Sequence, residues 1–148
     1  NRSILAHPGT YGIIDKINNQ IKYRDFWMPF CPTILKEDEN KYLKNNKHIS
    51  SKFMTISFDS NPESSKEIAG GIHPADKTAR PQILDRSFNP DYHDLITAFK
   101  NKTGIGCLMN TSFNLHGDPM VEDGEDAFRT FEYSDLDALW LGDYLVCR

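Results

Sequence analysis

Apolar residues recur along this chain in two periods, and the period changes from segment to segment. Ile13, Ile14, Ile17 and Ile21 sit three or four residues apart, which predicts a short helix over residues 15–21. Residues 22–35 form an aromatic and proline-rich segment in which Pro29 and Pro32 argue against helix, leaving 33–35 as a candidate strand. A second helix with a charged outer face is predicted over 37–44. Met54, Ile56 and Phe58 then alternate with Thr55 and Ser57, the period-two pattern of a half-buried strand over 53–58. Residues 61–66 read as loop or a short surface helix, and 82–85 as a strand.

The clearest helix opens at Asn89-Pro90. Asn is a good N-cap, Pro is tolerated at the first helical position, and Asp91 and Asp94 favour the positive end. Tyr92, Leu95, Ile96 and Phe99 make one apolar stripe, and Gly104 is a natural stop. A buried strand is predicted over 107–110. A further helix carrying Ala127, Phe128 and Phe131 starts from Asp123 as its cap. Residues 138–141 and 144–147 flank Gly142-Asp143, a two-residue hairpin signal. Strands and helices mix without strict alternation and without repeats, so the expected class is α/β shading into α+β, helices packed on a sheet.

Composition adds bounds. The chain has 148 residues, 39% of them hydrophobic and 26% charged, a composition suited to one globular domain. No stretch approaches the roughly 20 apolar residues of a membrane span, and no signal peptide opens it. Cys31, Cys107 and Cys147 lie far apart, as small hydrophobes of a reducing compartment would, so the expected localisation is cytoplasmic. The opening Asn1-Arg2-Ser3-Ile4-Leu5-Ala6 has no initiator methionine and reads as mid-protein text, from which an excised domain is expected. Net charge is −4, with seven Lys and Arg against thirteen Asp and Glu in residues 75–148. An acidic chain with no basic run is a poor general nucleic-acid binder, although isolated cations in a cleft can hold a small polyanion.

Three polar clusters are candidates for chemistry. Lys22 and Arg24, two apart on an extended segment, would project to one side and grip one phosphate; a bare pair of this kind is more often two solvated charges. Asn110-Thr111-Ser112-Phe113-Asn114 sets hydrogen-bonding side chains directly after a buried strand, with Ser112 and Asn114 alternating towards one cleft; a polar turn is the plain alternative. His73, Thr78 and Arg80 form the third, with Thr78 and Arg80 as phosphate contacts and His73 as a hydrogen-bond or proton-transfer group. There is no GxxxxGK[ST] loop, GxSxG elbow, HExxH helix or metal-ligand spacing, and capping explains the acidic run from Glu122 to Asp126.

Taken together in order, these clusters carry a resemblance. The chain resembles the C-terminal domain of carbamoyltransferases related to nodulation protein NodU and the antibiotic O-carbamoyltransferases. The likeness runs through Asn1–Ala6, Ile21–Pro32 with its Lys22-Tyr-Arg24, His73 to Arg80, Leu108–Asn114 and Leu136–Val146. It implies a YrdC-like twisted mixed β-sheet with flanking helices around a concave cleft, spanning residues 1–148, and an actin-like ATPase-fold domain upstream. It further implies carbamoyl phosphate and ATP with Mg²⁺ as substrates and carbamoyl adenylate as product, the carbamoyl group passing to a hydroxyl acceptor. On this resemblance Lys22, Arg24 and Arg80 are the catalytic phosphate clamps. Ser112, Asn114, Asn110, Thr111, Thr78, His73 and Arg2 are the ligand-binding residues. The segment 73–77 departs from the His-Val-Asp-Gly-like stretch expected in relatives. The implied partners are these small molecules and the upstream domain, with self-association through an exposed face also open and neither nucleic acid nor membrane expected. Two other readings stay open: a threonylcarbamoyl-adenylate-synthase-like enzyme, and a non-catalytic nucleotide- or RNA-binding module of the same fold.

Overall fold

In the computed structural model, which describes residues 1–23, 25 and 28–148, four strands make the central sheet. They are β1 (Ser3–Ala6), β2 (Cys31–Leu35), β5 (Gln82–Leu84) and β6 (Cys107–Ser112), in the order β1-β6-β2-β5. Strand β6 runs antiparallel to both β1 and β2, while β5 is parallel to β2. The sheet is therefore mixed. Two small antiparallel pairs flank it: β3 (Phe58–Asp59) with β4 (Thr78–Ala79), and the hairpin β7 (Ala138–Leu141) with β8 (Tyr144–Cys147).

Each face of the sheet has a helical cover. On one, Leu108 of β6 packs with Leu35, Leu84, Tyr92 and Ile96, the last two from α3 (Pro90–Thr103). On the other, Met109 packs with Ile4, Ile17, Ile21 and Phe131. Ile4 belongs to β1, Ile17 and Ile21 to the π-helical turn Ile17–Lys22 that continues α1 (Tyr11–Lys16), and Phe131 to α4 (Gly124–Glu132). A third cluster around Ile34, Tyr42, Ile68 and Cys107 fills the β2 end, where a 3₁₀ turn Lys36–Asp38 leads into α2 (Glu39–Tyr42).

The capping signals hold residue by residue. The Asn89 side chain accepts from the Tyr92 N–H, Pro90 is the first helical residue, and Gly104 ends α3 in the left-handed region at φ 79°. The Asp123 carboxylate accepts from the Glu125 and Asp126 N–H groups. Gly142 turns the β7–β8 hairpin at φ 59°. Three expectations need correction. The strand expected over 53–58 exists only at Phe58–Asp59, because Met54 sits at φ 56° and breaks the extended run, although the alternating burial survives. Cys147 is exposed rather than a buried or partly buried hydrophobe. Lys22, expected on an extended segment, ends the π-helical turn instead.

Candidate functional site

Because β6 runs against its neighbours, one edge of the sheet collects the C-terminal end of β6 and the starts of β1, β2 and β5. Arg2 precedes β1, Ser112 and Asn114 close β6, Cys31 opens β2, and Arg80 stands two residues ahead of β5. Residues far apart in the chain thus share an edge by topology alone.

Lys22 is drawn into this edge by its helix. Ile17 and Ile21 are buried against Met109, so the next residue, 5% exposed, meets the end of β6. Its ammonium donates to the Ser112 carbonyl at 2.6 Å and hydroxyl at 3.2 Å. It also donates to the Asn114 carbonyl at 2.9 Å and side-chain Oδ1 at 2.5 Å. The Ser112 hydroxyl donates to Asn114 Oδ1 at 2.7 Å, and the Asn114 amide donates onward to the Leu115 and Asp118 carbonyls. A buried ammonium is costly unless its donors are satisfied, and this oxygen cradle satisfies them. Tyr23, directly after it, is held at φ 42° and ψ 45°, a left-handed conformation that a bulky side chain adopts only under constraint.

The third cluster forms a separate part of the same edge. A cleft there is bordered by Pro29, Cys31, Ser57, His73, Thr78 and Arg80. The exposed Arg80 guanidinium donates to the Cys31 sulfur at 3.4 Å. His73 and Thr78 are held by a tight turn: the His73 N–H donates to the Thr78 carbonyl at 2.8 Å, and Lys77 at φ 60° makes the bend. The Asp76 carboxylate accepts from the Thr78 N–H at 2.9 Å and hydroxyl at 2.8 Å. Those two bonds hold the Asp76 acid below its ordinary range, with His73 3.3 Å away adding to the effect. With strands spaced roughly 4.8 Å apart, β6, which ends at Ser112, and β5, which begins two residues after Arg80, are about 10 Å apart across β2.

The structure thus brings Lys22, Ser112 and Asn114 together, and His73, Thr78 and Arg80 together, at one edge. It does not bring Asn110 to the cleft. That side chain is buried, and its amide donates to the Thr33 hydroxyl and to Tyr92 Oη on the α3 face. Thr111 is half-buried in the ladder opposite Ile4. Arg2 donates to the Val121 carbonyl at 2.8 Å, tying down the loop after β6. Arg24 lies outside the described residues. Sequence reasoning passed over His116, which continues the alternation of Ser112 and Asn114 by one more step, and Cys31, whose neighbour Arg80 is 49 positions away.

The architecture is that of a mixed α/β domain with its polar loops collected at one sheet edge. Within that class, residues 1–148 match the carbamoyltransferase C-terminus family, and the chain belongs to it. It is 42% identical to an uncharacterised protein of Methanocaldococcus jannaschii, over 100% of this chain and 24% of that protein. It is 38% identical to nodulation protein NolNO of Sinorhizobium fredii, over 99% of this chain and 22% of that protein. It is 28% identical to the 3'-hydroxymethylcephem-O-carbamoyltransferase of Streptomyces clavuligerus, over 97% of this chain and 26% of that protein. The chain spans about a quarter of the length of these relatives.

Proposed function

We propose that this domain binds carbamoyl phosphate and ATP and forms carbamoyl adenylate, for transfer of the carbamoyl group to a hydroxyl acceptor. The observation that carries the reading is the gathering of a buried lysine, its Ser112–Asn114 cradle and Arg80 at one sheet edge in a chain of the carbamoyltransferase family. Water releases phosphate from carbamoyl phosphate and leaves carbamate. A carbamate oxygen then bonds the α-phosphorus of ATP as the bond to pyrophosphate breaks. Negative charge grows on phosphoryl oxygens in both steps, so fixed cations and hydrogen-bond donors lower the barriers.

The roles follow from reach and donor type. Lys22 exchanges its neutral amide and carbonyl partners for phosphate oxygens, since an anionic acceptor adds the attraction of opposite charges to a hydrogen bond the ammonium already makes. Ser112 and Asn114, released from the ammonium, turn a hydroxyl and an amide N–H to the ligand. Arg80 supplies a planar fork at the mouth, with Thr78 and His73 beside it, and the family resemblance alone adds Arg24 as a further clamp. Among the described residues no group of three His, Cys, Asp or Glu is placed to hold a metal, so Mg²⁺ is expected to arrive on the ATP phosphates. The name of the Streptomyces relative, a 3'-hydroxymethylcephem-O-carbamoyltransferase, supports an alcohol as the final acceptor here. The test is incorporation of labelled pyrophosphate into ATP, which reversal of adenylate formation requires. Exchange that depends on carbamoyl phosphate supports the reading, and exchange that ignores it refutes it.

A further inference from the structure

His116 lies outside every role given above, yet three contacts tie it to the lysine and the residues on either side of it. Its backbone N–H donates to the Ile21 carbonyl at 3.1 Å. Its ring Nδ1 lies 2.8 Å from the Lys22 carbonyl oxygen. The ring also packs edge-on against Tyr23, centroids 6.0 Å apart at 69°. A carbonyl oxygen can only accept, so Nδ1 must carry the proton in this contact, and Nε2 is left to solvent. The histidine therefore grips the last two carbonyls of the π-helical turn and packs its ring on Tyr23, where the chain turns left-handed.

That stop decides where the ammonium goes. The Tyr23 N–H closes the last π-helical bond to the Asn18 carbonyl, after which Tyr23 takes up φ 42°. A left-handed non-glycine residue costs about 1–3 kcal/mol and persists only where its surroundings over-determine it, as they do at functional turns. Wider π-helical turns recur at such sites too. If the peptide after Lys22 rotated, its carbonyl would leave His116 and the left-handed turn at Tyr23 would be free to relax, loosening the backbone from which the lysine stem reaches Ser112 and Asn114. One loop thus supplies both ends of the clamp: Ser112 and Asn114 hold the ammonium, and His116, two residues on, holds the same lysine's carbonyl.

We infer that His116 is a positioning residue, acting through its Nδ1–H to fix Lys22 and Tyr23 so that the ammonium sits in the Ser112–Asn114 cradle. For binding, this rests on the phosphate-ligand reading above; for geometry, it does not. The test compares His116→Ala, His116→Asn and His116→Gln in ¹⁵N-labelled protein. Asn places an N–H donor near the Nδ1 position, whereas Gln places one near Nε2. The Ile21–His116 backbone bond survives in all three.

The first readout is spectroscopic: wild-type His116 shows the Nδ1–H tautomer, and the Ser112 and Asn114 amide resonances move in His116→Ala and His116→Gln but stay in His116→Asn. The second is titration with inorganic pyrophosphate. Loss of one hydrogen bond predicts about tenfold weaker binding for Ala and Gln, and Asn within about threefold of wild type. An Nε2–H tautomer, an alanine variant indistinguishable from wild type, or a glutamine variant that outperforms asparagine overturns the inference. Wild-type protein that binds no pyrophosphate counts against the phosphate-ligand reading alone, and the amide resonances then decide the role of His116.

Discussion

A lysine ammonium among four oxygens within 3.2 Å is a structural tie and, on the proposed function, a charge held ready for phosphate. Both roles can be read from one substitution. Lys22→Met keeps most of the buried stem and removes the charge, leaving the Ser112 and Asn114 oxygens short of a donor. It should lower stability by about 1–3 kcal/mol in urea titration, and weaken phosphate-ligand binding far more than that loss explains. The presence of the lysine was plain in the sequence, but its geometry was not. Alternation on an extended segment suggested the Lys22–Arg24 pair, whereas the helical face that buries Ile17 and Ile21 is what delivers Lys22. Asn110 shows the opposite failure: the same alternation that joins Ser112 to Asn114 turns Asn110 under α3.

Asp85 gives a pH dependence at the same scale. Lys36, 2.7 Å away, and the hydroxyl and N–H of Ser87 hold its carboxyl well below the usual carboxylate range. A depressed folded-state pKa means the contribution to stability is complete above the unfolded value of about 3.9 and is lost as pH falls below it. Asp85→Asn should therefore flatten the acid limb of the stability curve below about pH 4, leaving the neutral plateau nearly parallel to wild type. Thermal melts from pH 2 to 7 check it.

Among elements, those that declared themselves most clearly carry their own stop and start chemistry. The Asn89–Gly104 helix and the Asp123 cap could be read because capping is local, satisfied by N–H groups two or three residues away. Asp123→Ala should cost about 1 kcal/mol of stability, measurable by denaturant unfolding, with Asp123→Asn nearly neutral. The strand expected over 53–58 failed because alternating burial does not by itself supply a partner, and the left-handed Met54 ends the ladder. The α3–sheet contact holds a buried polar link that no local signal announces. Tyr92 is pushed up to about 12, chiefly by burial, and Asn110 donates to its hydroxyl. In a spectrophotometric titration it should ionise about two pH units above an exposed tyrosine, and Tyr92→Phe should remove that step and cost about 1 kcal/mol.

For the whole molecule, the mixed class was legible from the blend of strand and helix signals, while the strand order β1-β6-β2-β5 was not. That order is what turns separate polar clusters into one edge. Sequence order and resemblance could join Lys22, Arg80 and Ser112 on paper, but only an antiparallel β6 between β1 and β2 puts their loops on the same side. The charge distribution fits a local rather than a general anion site, since the acidic excess of residues 75–148 would repel a long polyanion while leaving Arg80 and Lys22 to hold a small one.

The most direct measurement is calorimetric titration of the protein with carbamoyl phosphate and with ATP–Mg²⁺, repeated for Lys22→Ala and Arg80→Ala with folding checked by circular dichroism. Saturable binding by wild type that falls at least about tenfold in each folded variant is the expected result, since each removes a charge-assisted contact. Folded Lys22→Ala and Arg80→Ala variants that bind both ligands as wild type does would contradict the proposed site.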